Sequence, residues 1–407
     1  MTDAVLGQPA RAYKVIGLIS LAHSFSHFFQ LALPPLFPFL KVTFGVSWAE
    51  LGLLTTLFYI ASGLAQTPSG FLVDRFGARP VLFAGLGLIA GAILLCGLAR
   101  SYWTLMPLMV MAGIGNSVFH PSDYSILTAS VARNRLGRAY GAHTLGGNLG
   151  WAAAPVVMLS LAAAVGWRWA LVIAGAGGLV VLALLATQAS ALHGGESRSR
   201  RATAHASQHT VSTALLSTPI LLCFAYFTLL AIAGVGLQNF LPTTLGKLFG
   251  TPTTAAGAAL TGMLLGSSAG IVVGSFLADK AMHHDRIVAV GLAAGAALIM
   301  VVAQIDLPPF LLLVVLTLAG VAMGITTPSR DMLVRGATPH GATGRVFGFV
   351  YSGLDAGSAV APVMVGAMLD YGHPGLTLWF AALALLLAVG TATSLRRASP
   401  AAVQAAE

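Results

Sequence analysis

The sequence predicts an all-α integral membrane protein: twelve transmembrane helices arranged as two pseudo-symmetric six-helix bundles. Three observations carry that reading. Of 407 residues, 57% are apolar and only 8% charged, with a mean hydropathy of +0.86, which leaves too few charges for the surface of a soluble fold. Twelve apolar stretches are long enough to cross the hydrocarbon core, a distance that takes about 20 residues. A repeat at a spacing of 207 residues relates the fourth and fifth stretches to the tenth and eleventh.

In chain order the spans are predicted near 14–40, 49–72, 80–99, 103–129, 139–165, 168–190, 214–245, 254–278, 286–305, 308–330, 345–369 and 374–395. The first is too long for the apolar core of a signal peptide and ends in no small-residue cleavage site. Forty-seven glycines suit helices that pack closely in lipid. Cys96 and Cys223 lie inside apolar runs, so neither a disulfide framework nor a thiolate metal site is expected.

The longest polar insertion separates the sixth and seventh spans. It divides the chain into an N-terminal bundle (1–190), a cytoplasmic linker (191–213) and a C-terminal bundle (214–407). His193, His205 and His209 of the linker suit either metal binding or a merely solvated segment. With the N-terminus inside, all of the 21 Lys and Arg except Lys41, Arg100, Arg168 and Lys247 fall on the cytoplasmic side, which orients both termini inward. The net charge of +9 is spread over short clusters between apolar runs and forms no basic stripe, so no nucleic-acid partner is expected.

The repeat pairs Pro121-Ser122 with Pro328-Ser329, Gly137-Arg138 with Gly344-Arg345, Tyr140-Gly141 with Phe347-Gly348, and Gly146, Gly150 and Pro155 with Gly353, Gly357 and Pro362. Two parallel six-helix repeats are a transporter architecture, with a substrate site near mid-membrane at the repeat interface.

The loop after the second span reads Gly70-Phe71-Leu72-Val73-Asp74-Arg75-Phe76-Gly77-Ala78-Arg79. It resembles the cytoplasmic signature of the major facilitator superfamily, and a decayed copy runs from Gly274 to Asp279-Lys280. The resemblance covers essentially the whole chain. It implies that Gly70, Asp74, Arg75, Gly77, Arg79 and Asp279 form a conformational latch. Within that superfamily the chain is similar to the fosmidomycin-resistance family of efflux proteins, through Gly113 to Pro121 (GIGNSVFHP) and the pattern from His23 to Pro38. Two departures stand out: His27 where family members tend to carry an acid, and Ser122-Asp123 where they carry Glu directly after His-Pro. Gly141, Gly150, Ala154 and Pro155 are spaced like the antiporter motif of superfamily exporters, with Ala154 in place of a Gly. A bacterial-type cytoplasmic membrane is the expected location.

Polar side chains inside a bilayer are costly and usually face a cavity or a partner. Asp355 reads as the deepest acid, about ten residues or roughly 15 Å into span eleven, and its repeat counterpart is Asn148. Asp123 and Asp331 lie nearer the cytoplasmic ends of spans four and ten. Asp355, Asp123, Asp331 and His27 are the proton-coupling candidates. Asp331 and Arg335 are spaced for a helix-end salt bridge. Arg330 offers a planar donor fork for a carboxylate, phosphate or phosphonate. His23 and His27, four apart, share one face of the first span. The sequence places no carboxylate beside them, and with HExxH absent no metal is expected. His143 is expected at the interface. The substrate-binding candidates are Arg330, His23, His27, His120, Asn148, Tyr226 and Tyr351.

No GxxxxGK[ST] segment offers an ATP site. No nucleophile with a partnered base points to an enzyme, the linker and tails are too short for the soluble signalling domain of a sensor, and no cofactor is expected. The leading expectation is a monomeric secondary transporter whose partners are protons, the lipid bilayer and a small anionic or amphipathic compound, which it expels in exchange for protons. The alternative is a proton symporter importing an organic acid.

Overall fold

The computed structural model describes residues 3–132, 135–192, 217–338 and 343–398. Every regular element among them is helical. α1 (Asp3–Gln30) is followed by a 3-10 turn (Pro34–Leu36) and α2 (Phe37–Phe44), then α3 (Trp48–Phe76), α4 (Ala78–Leu98), α5 (Tyr102–Asn116), α6 (Phe119–Ser130) and α7 (Leu136–Thr187). After the linker come α8 (Thr218–Phe249), α9 (Thr253–Lys280), α10 (His284–Gln304), α11 (Pro309–Ala337), α12 (Thr343–Asp370) and α13 (Pro374–Ala398). Most of the linker, with His193, His205 and His209, lies outside the described residues.

Among the described residues, ten segments are individually long and apolar enough to cross a membrane. The difference from twelve has two causes. The fourth span is broken into α5 and α6, each too short alone. The fifth and sixth run together as α7, turning at Gly166, whose φ of +82° leaves the helical region and favours a residue without Cβ.

The chain forms two compact units, Met1–Val46 with Leu57–Arg201 and Ser47–Thr56 with Ala202–Glu407. The first turns of α3 thus pack with the C-terminal helices. In the first unit α7 packs on α1 and α4; in the second, α8 packs on α12 and α13, and α11 on α9 and α10. The repeated glycines explain one of these contacts in each unit. Gly146 and Gly150 bring α7 against the carbonyls of Ser20 and Ser24 on α1, and Gly353 and Gly357 bring α12 against those of Phe224 and Thr228 on α8. Close backbone approach through small residues is the packing device available where lipid removes the hydrophobic drive.

Candidate functional site

The break in the fourth span shapes the polar centre of the first unit. Pro121 has no N–H to give to the carbonyl of Ser117, four residues back, so the helix cannot continue unbroken there. α6 therefore starts afresh at Phe119 and carries His120, Asp123 and Tyr124 in its first turns.

Asp123 is completely buried. Its Oδ2 lies 2.9 Å from Nε2 of His143 on α7 and 3.5 Å from Nδ1 of His23 on α1. The His23 ring stacks on His143 with centroids 3.8 Å apart and lies 4.3 Å from His27 and 5.2 Å from His120. His27 in turn stacks on Trp151 at 4.0 Å. α7 reaches these rings because Gly147 has no side chain; a Cβ there would fall 2.7 Å from His27 Nδ1 and 2.8 Å from His23 Cδ2.

A hydrogen-bonded column extends the cluster. Trp151 Nε1 donates to Gln30 Oε1 at 3.0 Å. Gln30 Nε2 and Ser26 Oγ both donate to Asn116 Oδ1, at 3.1 and 3.0 Å, and Asn116 Nδ2 donates to Ser62 Oγ at 2.9 Å. Asn116, Trp151, Ser26 and Ser62 are absent from the sequence-derived candidates. The one available signal was a lone Asn in the apolar run GIGNSVFHP.

Three expectations change here. The sequence places no carboxylate beside His23, and the structure brings in Asp123 from another helix. His143, expected at the interface, is 1% exposed, because its helix starts at Leu136 and turns it inward. Asp355, the deepest acid by residue count, is half-buried on α12, while Asp123 is the one fully enclosed. Residue count along a span measures depth in lipid, whereas enclosure depends on which helices surround the side chain.

In the second unit Arg330 Nε donates to Asp331 Oδ1 at 3.1 Å, and the Tyr351 hydroxyl donates to the same oxygen at 3.0 Å. The Arg330 guanidinium lies over the Phe227 ring at 4.9 Å. Tyr226 is buried nearby, lining a crevice with Arg330. The expected Asp331–Arg335 pair is not made. Asp331 turns to its chain neighbour and to Tyr351, and Arg335 is exposed. Asn148 and Asp355 are half-buried and join neither cluster.

At the α3–α4 turn, Gly77 takes a φ of +89°. Asp74 and Arg75 are exposed beside it, and Arg79 Nη1 donates to the carbonyl of Ala189 at 3.0 Å, tying α4 to the segment after α7. Asp279 lies on α9, but its side chain is outside the described residues.

Comparison with known proteins agrees with this architecture. The chain is 27% identical over 274 residues to the fosmidomycin resistance protein of Escherichia coli (strain K12), covering 66% of each chain. It is 36% identical over 138 residues to the membrane sensor protein UhpC of the same organism, covering 33% of this chain and 31% of that one. The matches therefore span less than two thirds of these relatives' own lengths. Among solved structures, a mutant of the nucleoside transporter NupG superposes with a TM-score of 0.77 at 14% identity, over 94% of this chain and 99% of that one. A bacterial homologue of the human lysosomal transporter Spinster, in an inward-facing and occupied conformation, gives 0.71 at 18% identity, over 97% and 96%. At such identities these two likenesses bear on fold alone. The Major Facilitator Superfamily profile matches residues 19–302 and 229–406. With its apolar helices, its two helical units and that match, the chain belongs to the Major Facilitator Superfamily of membrane transporters.

Proposed function

We propose that the chain is a proton-coupled secondary transporter that expels a small anionic or amphipathic compound by alternating access, in a bacterial-type cytoplasmic membrane with both termini inside. The observation that supports coupling to protons is the buried contact of Asp123 with His143 and His23. A carboxylate inside a membrane protein needs a compensating charge or a proton, and among the described residues no Lys or Arg pairs with this one. Its neighbours are imidazoles, whose ring nitrogens can donate or accept a hydrogen bond. A proton held among such groups is what exchange for substrate requires.

Efflux is supported by the similarity to the fosmidomycin resistance protein and by the glycine spacing of α7. Import of an organic acid is favoured by a different feature, Arg330 beside Tyr226 and Tyr351, and by a 29% identity over 165 residues to a probable sulfoacetate transporter of Cupriavidus necator.

The test is purified protein in liposomes with an imposed pH gradient and a trapped pH dye, challenged with phosphonates, organic acids and antibiotics. Under antiport, a compound drives protons in the direction opposite to its own flux. Co-directional movement assigns import, and dye signals independent of every compound would sink the proton coupling.

A further inference from the structure

We infer that His23, Asp123 and His143 form a binding site for a divalent transition-metal ion of the zinc class. Two imidazoles and a carboxylate are the donor set such ions take, at bond lengths of about 2.0–2.2 Å with a fourth position left open. The three come from three different helices, α1, α6 and α7, and their ligand atoms all lie within 4.8 Å of one another. His143 Nε2 and His23 Nδ1 stand 2.9 and 3.5 Å from the same Asp123 oxygen. Donors around one tetrahedral ion are separated by similar distances; the stacked His23 and His143 rings, 19° from parallel, must turn about their side-chain bonds for both lone pairs to meet on one ion.

A second observation is independent of spacing. His23 Nδ1, Asp123 Oδ1 and His143 Nδ1 are buried without a hydrogen-bond partner, although His23 and His143 are only 2% and 1% exposed and Asp123 is wholly enclosed. Buried polar atoms are ordinarily satisfied, and of these three it is His23 Nδ1 that faces the Asp123 carboxylate, 3.5 Å from its Oδ2, as an unpartnered donor atom aimed into the proposed site. An ion between the rings and the carboxylate satisfies His23 Nδ1 directly and neutralises the carboxylate. His120, which is exposed, lies 5.2 Å from His23 and borders the cluster. The fourth position is open to His120 or to a donor arriving with the ion.

Binding is an equilibrium property and does not depend on the direction or coupling proposed above. Failure of one reading leaves the other standing, because proton exchange is measured in chelator-washed vesicles. The experiment uses full-length protein without a histidine tag and with His193→Ala, His205→Ala and His209→Ala, which removes the linker imidazoles. Stripped of metal, it is titrated with Co2+ and then with Zn2+ in competition. The expected result is one ion per chain with the strong visible bands of four-coordinate Co2+. His23→Gln, Asp123→Asn and His143→Gln should each weaken binding by at least about 100-fold, because even outer-shell changes cost 10–100-fold. Gel filtration and helicity establish that each variant is folded, and if one fails to fold, the other two decide. Loss of all binding with the linker histidines, triad variants that bind like the parent, or only a weak six-coordinate spectrum would overturn the site.

Discussion

The carboxylate of Asp370 caps the first turn of α3: its Oδ1 accepts the backbone N–H of Trp48 and its Oδ2 that of Ala49, both at 2.8 Å. The first N–H groups of a helix have no partner within it, and a negative charge there also meets the positive end of the helix dipole. This bond is one of the contacts that place Ser47–Thr56 in the second unit, and it joins residues 322 positions apart in the chain. Asp370→Ala should cost about 1 kcal/mol of stability and lower the thermal midpoint in detergent. Asp370→Asn, which keeps one acceptor but sets an NH2 against the other N–H and removes the charge, should recover only part of that loss. Equal midpoints for Asp370→Ala and the parent would show the cap to be energetically idle.

Gly150 and Gly357 are repeat equivalents and serve the same packing role in their own units. A Cβ at Gly150 would collide with the Ser24 carbonyl, and one at Gly357 with that of Thr228. Since backbone cannot swing aside as a flexible side chain does, alanine at either site should destabilise by about 1–3 kcal/mol. At Gly141 an added Cβ meets nothing within 4 Å, so Gly141→Ala should be neutral or gain up to about 1 kcal/mol from helix propensity. The three variants are compared by thermal unfolding in one detergent. A Gly150→Ala midpoint at or above that of Gly141→Ala refutes the packing account.

These glycines also show what the sequence made legible. Apolar run length gives the spans, because lipid thickness fixes helix length. The repeat gives the equivalence of the two units. Neither says which side chains from different helices meet. Asp123 and His143 are 20 residues apart on separate helices, and their contact depends on the break before Phe119 and on the missing Cβ of Gly147. His23 and His27 were readable as a pair because i,i+4 spacing is local. Arg330 was legible as a candidate cation, but its engagement by Asp331 rather than by solvent was not, since adjacent residues on a helix do not ordinarily face each other.

The Asp74 turn is expected to govern cycling rather than affinity. Asp74 and Arg75 are exposed on the last turn of α3 and belong to neither buried cluster. Asp74→Asn should slow transport in vesicles while leaving the equilibrium affinity for a transported compound within a few fold. That affinity is read from the ligand-dependent rise in melting temperature. A hundredfold loss, about 2.7 kcal/mol, would place the turn in contact with substrate.

The last prediction separates the two candidate proton carriers. Depth along the span put Asp355 first, while enclosure and partners favour Asp123, which touches two imidazoles where Asp355 is half-buried and joins no cluster. Coupling needs a site that gives up its proton when substrate moves, and Asp123 is a fully buried carboxyl whose described contacts are imidazoles rather than a fixed cation. Asn keeps the shape of Asp but cannot titrate. Asp123→Asn should therefore abolish accumulation driven by a pH gradient while passive counterflow of substrate persists, because counterflow needs the conformational cycle but no net proton transfer. Asp355→Asn should retain at least part of the driven flux. Both are measured in chelator-washed vesicles, so that loss of a bound metal ion cannot mimic loss of a proton. If Asp123→Asn still concentrates substrate against its gradient and Asp355→Asn does not, the proton travels on Asp355 and the Asp123 cluster is left with the metal site alone. If both variants remain active, His27 is the next residue to change.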